Sequence, residues 1–120
     1  CGIGQVATAN TNRDGTGTLA TILTAGASGS RIDAINLKAV ATTTAGMIRL
    51  FIHDGTNARL LTELPVLALT PSATLPSWEA QITTNNMSQI LPIILPTGYS
   101  LRASTHNTET FNVIAIGGDF

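Results

Sequence analysis

Runs of alternating or continuous apolar residues, bounded by Gly, Pro, Asn, Asp and Thr, recur roughly every 10 to 15 residues along this chain, and helical periodicity is almost absent. The pattern predicts strands over 4–9, 17–24, 31–41, 47–53, 58–66, 77–83, 89–95, 100–104 and 110–117. Eight or nine short strands of this kind make an all-β chain, an antiparallel β-sandwich of jelly-roll-like architecture. The sharpest local signal is a hairpin. Strand-like residues 47–53 and 58–66 flank Asp54-Gly55-Thr56-Asn57, and Gly and Asn or Asp tolerate the positive φ that tight turns require. Successive side chains alternate across a strand, so Ile48, Leu50 and Ile52 share one face of the hairpin and Met47, Arg49, Phe51 and His53 the other.

A second alternation runs through 31–40. There Ile35, Leu37 and Ala39 share a face with Asp33, while Ile32, Ala34, Asn36, Lys38 and Val40 share the opposite one. Neither face is cleanly polar, so this strand is expected to be buried twice, once by its own core and once by a neighbour such as another subunit. The final strand, 111–116, has the same two-sided character. Pro65, Pro71, Pro76, Pro92 and Pro96 lack a ladder donor and mark edges, corners or strand starts. Residues 1–16, rich in Thr, Gly and Ala, read either as a strand or as an extended arm ahead of a single β-sandwich domain over 17–120.

Composition narrows the function classes. Only 11% of the residues are charged against 43% hydrophobic, and the net charge is -1; about a quarter charged is normal for a soluble domain. Thr supplies about one residue in six, keeping strands wet without adding charge. Such a surface suits a part of an assembly better than a free enzyme. Six basic residues spread singly make no basic stripe, which argues against nucleic acid as a partner. No apolar run approaches the roughly 20 residues of a spanning helix, which argues against a membrane-spanning helix. The one cysteine, Cys1, excludes an intramolecular disulfide. Its place at the start reads as Met removal or truncation, with an acylated lipoprotein terminus as the alternative.

Chemistry is sparse. His53-Asp54 falls at the hairpin turn, where Asp is a turn former, and His106 sits in a polar loop, too far along the chain for a short metal-ligand spacing. The carboxylates Asp33, Glu63, Glu79, Glu109 and Asp119 are dispersed, so no acid/base pair is legible. A non-enzymatic chain without a cofactor is the expectation. Asn86-Met87-Ser88 fits a glycosylation acceptor, a pattern frequent by chance. Trp78 and Tyr99 are among very few rings; Trp78 reads as a core or interface anchor. Arg supplies five of the six basic residues, a bias that fits protein interfaces.

Residues 42–55 (TTTAGMIRLFIHDG) and 59–66 (RLLTELPV) resemble a segment of small virion proteins encoded by tailed bacteriophages. Residues 95–105 (LPTGYSLRAST) and 111–119 (FNVIAIGGD) resemble the same group, and together the four stretches cover about a third of the chain. The resemblance implies a capsid-associated role, that of a decoration or cement protein bound to the major capsid protein on the virion surface. Such proteins are small, β-rich and frequently trimeric. On that expectation residues 13–24, with Arg13, Leu19 and Ile22, grip the shell or a neighbouring protomer. Phe51 and Trp78 anchor protomer contacts, Phe120 docks on a neighbour, and the loop 105–109 is exposed. The alternative is a tail- or fibre-associated sandwich that binds host-surface glycan through Trp78 or Tyr99. A third reading is a filament subunit that donates its N-terminal segment as a strand.

Overall fold

The computed structural model describes residues 1–82 and 92–120. Nine strands are present among them: β1 (Gly2–Val6), β2 (Ala20–Thr24), β3 (Ser30–Ala39), β4 (Gly46–His53), β5 (Ala58–Val66), β6 (Glu79–Ile82), β7 (Ile93–Leu95), β8 (Ser100–Thr105) and β9 (Phe111–Asp119). All strand pairings are antiparallel. One sheet runs β1-β9-β3-β6, with β7 also on β3, and the other runs β2-β8-β4-β5. Glu79 to Ile82 pair Lys38 to Ile35, and Ile93 to Leu95 continue along β3 from Ile32 to Ser30. With β6 and β7 counted as one interrupted strand, the chain switches sheets at every connection except the β4–β5 hairpin. This is the strand order of a jelly roll.

Each expected strand segment meets an observed strand, because alternation and turn chemistry agree along most of the chain. The hairpin forms as read. Asp54 Oδ1 accepts the amides of Thr56 (2.9 Å) and Asn57 (2.8 Å), and Gly55 takes a φ of 96°. Of the two readings open for residues 1–16, a strand is realised over Gly2–Val6, which pairs β9 from Gly2↔Ala115 to Val6↔Phe111. Residues 83 and 89–91 of the expected strands, and the acceptor at Asn86-Met87-Ser88, lie outside the described residues.

The core lies between the sheets. Ile32, Ile35, Leu37 and Ala39 of β3 meet Ile48, Leu50 and Leu64 of the other sheet, with Val113, Ala115, Leu101, Ile82 and Leu95 filling around them. Fully burying one such side chain contributes roughly 1.5–3 kcal/mol. Trp78 packs edge-on against Phe111, centroids 5.6 Å apart at 88°.

Strand β3 departs from simple alternation. A bulge between Ile32 and Ala34 makes Asp33 an extra residue, so Ile32 lies on the same inner face as Ile35, Leu37 and Ala39. The apparent two-sidedness of β3 is therefore resolved within the chain and needs no second cover. At the bulge, Gly117 lies so close to β3 that a Cβ would sit 1.8 Å from the Arg31 carbonyl oxygen. Only glycine admits that approach.

Candidate functional site

The two outer faces of the sandwich are treated differently. Cross-strand register puts Arg49, Phe51 and His53 of β4 on the outer face of the β2-β8-β4-β5 sheet, opposite Ser104, Arg102 and Ser100 of β8. The segment 7–19 crosses this face. It starts at the end of β8, where Asn10 donates its amide to the Thr105 carbonyl (2.8 Å), and reaches the start of β5, where Gly15 abuts the Ala58 carbonyl. Asn10 holds the crossing together internally: its Nδ2 donates to the carbonyls of Thr16 (3.0 Å) and Thr18 (2.9 Å), and its Oδ1 accepts the Asn12 amide (3.0 Å). Phe51 is 0% exposed yet stands outside the main core cluster, so this segment is the cover that removes it from solvent.

Arg49 is buried beside it, 2% exposed. Its Nε donates to Glu63 Oε1 at 3.1 Å, and Nη1 lies 3.4 Å from His106 Nδ1. The same Glu63 oxygen accepts from Arg13 Nε on the crossing segment. Arg13, and then Arg49, hold the Glu63 carboxyl below its ordinary value against the opposing effect of desolvation. Loop 105–109 is tied down: Glu109 Oε2 accepts from the Thr44 amide and hydroxyl, each at 2.8 Å, and Asn107 Nδ2 donates to Thr44 Oγ1 and the Ala45 carbonyl. His53 and His106 stand at opposite ends of β4, and among the described residues no three His, Cys, Asp or Glu side chains cluster as a metal ligand set.

Among the described residues no segment crosses the outer face of the other sheet. Register places Ile3 opposite Ile114, Ile114 opposite Asn36, and Ile116 opposite Ala34, all facing outward. Ile3 is 71% exposed, and Ile94, Ile116 and the terminal Phe120 are exposed as well. Around this apolar strip lie polar pairs: Gln5 Nε2 donating to Asn112 Oδ1 (2.9 Å), Lys38 with Glu79 (3.4 Å) and Arg31 with Asp33 (2.6 Å). No protein-family model, no curated protein and no solved structure matches the chain.

The residues singled out from sequence scatter across this geometry. Arg13 lies on the crossing segment and Leu19, half-buried, at its end. Ile22 is buried in the core on β2, Trp78 is 8% exposed against Phe111, and Phe51 lies under the crossing segment. These three therefore have almost no surface to offer a partner. Phe120 does, at 64% exposed. Tyr99 is half-buried against the core and Trp78 lies inside, so neither of these two rings stands free on the surface.

The two-sided final strand is as read, with Phe111, Val113 and Ala115 facing inward and Ile114 and Ile116 outward, whereas sequence reasoning missed Ile3 of β1 as a surface residue. It missed a cleft as well. A depression of about 530 Å³ opens between the crossing segment and the β4–β5 hairpin, with Asp14, His53, Asn57, Arg59 and Arg102 in its lining. Those residues come from three separate stretches, so no local motif announces them.

Proposed function

We propose that this chain is a non-enzymatic structural subunit of a virion, a decoration or cement protein that sits on the capsid shell and bridges neighbouring capsomers. The observation that carries the reading is the open isoleucine face formed by Ile3, Ile114 and Ile116 with a rim of paired charges. An apolar centre inside a polar rim is the anatomy of a protein interface. The low charge of the chain agrees with it, as does the resemblance of four stretches to small virion proteins. Jelly rolls recur in capsid and lectin domains, which is support by analogy only.

The mechanism is additive burial. Each bridging contact needs about 1,000 Å² to be specific, and a homo-oligomer such as a trimer multiplies modest contacts into avidity. Separating two capsomers then also requires breaking the bridge. Cosedimentation of the purified chain with empty capsids of the phage that encodes it tests this. Saturable binding in fixed proportion to capsid subunits, abolished by the Ile3→Glu, Ile116→Glu double variant at unchanged melting temperature, is the expected result. Capture by purified tails in place of capsids, or capsid binding that the double variant leaves intact, would refute it.

A further inference from the structure

We infer that the free chain pairs with a second copy of itself, isoleucine face against isoleucine face, about a two-fold axis that runs across the strands between Ile114 and Ile116. Cross-strand register lays the outward residues of this sheet in rows. Gln5, Asn112, Lys38 and Glu79 form the first row, and Ile3, Ile114, Asn36 and Gln81 the second. Ile116 and Ala34 form the third, and Gly118, Arg31 and Ile94 the fourth. Asp33, the extra residue of the bulge, lies between the last two rows and accepts a hydrogen bond from Arg31 Nε. A neutral pair of opposite charges therefore stands at each end of the apolar strip, Lys38 with Glu79 and Arg31 with Asp33.

Two copies of one sheet packed face to face are related by a two-fold axis lying in the interface, either along the strands or across them. An axis along the strands exchanges β1 with β6 and β9 with β3. It sets Ile3 over the partner's Gln81, Ile114 over the partner's Asn36 and Lys38 over the partner's Asn112, so apolar groups meet amides and charges meet neutral groups. An axis across the strands keeps each strand over its own copy, running antiparallel to it. Side chains of packed sheets interdigitate, so each row settles between two rows of the partner. Ile114 then enters between the partner's Ile114 and Ile116, and Lys38 enters between the partner's third and fourth rows, at the level of its Asp33. Glu79, one strand over, comes beside the partner's Arg31. Apolar side chains meet apolar ones, each charged pair gains an opposite pair, and the symmetry makes every contact twice.

The area sets the strength. Strands side by side in the order β1-β9-β3-β6, about 4.8 Å apart, and about 3.4 Å per residue from Arg31 to Lys38, make a face of roughly 20 by 25 Å, about 1,000 Å² for the two copies together. That lies at the low end of specific interfaces, so the dimer is reversible, with a Kd on the order of micromolar or weaker. The same face is the one proposed above to meet the capsid, and in this the inference rests on that reading: the dimer is the form the chain takes off the shell, and it opens for the face to dock. The pairing itself needs no capsid.

Sedimentation equilibrium of the full chain alone, from about 1 to about 500 μM, tests the pairing. A reversible equilibrium between monomer and dimer is expected. Lys38→Glu places an acid over the partner's Asp33, and Asp33→Lys places a base over the partner's Lys38, so each variant alone is expected to dimerise at least about tenfold more weakly. Mixed in equal amounts, the two variants are complementary at both contacts, and their heterodimer is expected to recover the wild-type affinity within about threefold. The side chains of Lys38 and Asp33 are 41% and 45% exposed, and a variant that failed to fold could not be restored by mixing. A monomer at every concentration, an oligomer larger than a dimer, or a dimer that ignores the single reversals or is not restored by mixing would overturn the inference. All of this is measured without capsids, so its failure and failure of cosedimentation are separate outcomes.

Discussion

Replacing either partner of the buried ion pair beneath the crossing segment should give unequal losses of stability. Glu63→Gln leaves the Arg49 guanidinium, 2% exposed, with a neutral amide in place of its carboxylate and a 3.4 Å contact to His106 Nδ1. Uncompensated buried charge costs about 3–5 kcal/mol, and the amide's residual acceptor puts this variant near the low end, about 3 kcal/mol. Arg49→Met removes the charge instead of orphaning it. Glu63 then keeps Arg13, and an apolar chain of similar length fills the space beside Phe51. The loss there is about 1 kcal/mol, since buried pairs replaced by apolar groups are often close to neutral. At roughly 4 °C per kcal/mol for a chain of this size, the expected falls in Tm are about 12 °C and about 4 °C. Thermal unfolding at pH 7, followed by circular dichroism, separates them. The pH dependence supplies a second check. The folded-state pKa of Glu63 is depressed below its ordinary value of 4.5. Its contribution is therefore fully present above about pH 4.5 and is lost as the pH falls through the lowered folded-state value. The gap between wild type and Glu63→Gln should narrow on acidification. An Arg49→Met loss equal to or larger than that of Glu63→Gln would refute the account.

Two further outcomes follow from the same geometry. Gly117→Ala should cost at least about 3 kcal/mol by urea denaturation, because its Cβ would meet the Arg31 carbonyl oxygen at 1.8 Å, whereas Gly118→Ala, with nothing within 4 Å, should change stability by less than about 0.5 kcal/mol; equal effects would place the bulge elsewhere. Deleting residues 1–16 should strip β1 from β9 and uncover Phe51, abolishing a sharp unfolding transition and raising binding of a hydrophobic dye; a truncated chain that melts like the full one would show that the crossing segment does not seal this face.

The strands were legible because two independent signals coincide in them. In the β4–β5 hairpin, strict alternation through Ile48, Leu50 and Ile52 runs into Asp54-Gly55, and both say the same thing. The bulge at Asp33 was not legible, since one inserted residue shifts the facing of all that follows without altering composition. A strand with one bulge imitates a strand buried on both sides. Phe51 was misplaced for a different reason: alternation put it correctly on the outer face, but its cover is a segment of Thr, Gly and Asn held by Asn10 hydrogen bonds, with no apolar pattern to announce it. The charged sites depend on contacts between residues 13, 49, 63 and 106, and between 14–19, 53–59 and 102, which only the tertiary fold assembles.

The unequal treatment of the two outer faces is itself an argument about assembly. Covering a sheet face with the chain's own residues costs conformational entropy for every residue fixed, about 1–2 kcal/mol each. The chain bears that cost over 7–19 and, with it, hides Phe51 and Arg49. On the other sheet it leaves Ile3 and Ile116 in water, although a polar residue at either place would be compatible with an outward-facing strand position. Their neighbours are also arranged for company: Lys38–Glu79 and Arg31–Asp33 put both signs of charge at the rim, where they can fix the register of an incoming surface without adding net charge. A face sealed from within and a face left apolar within a charged rim are what the proposed capsid-bound subunit would need, because there a partner would complete the burial. On that proposal the small number of charges has a reason as well, since charge is disfavoured in an interface core.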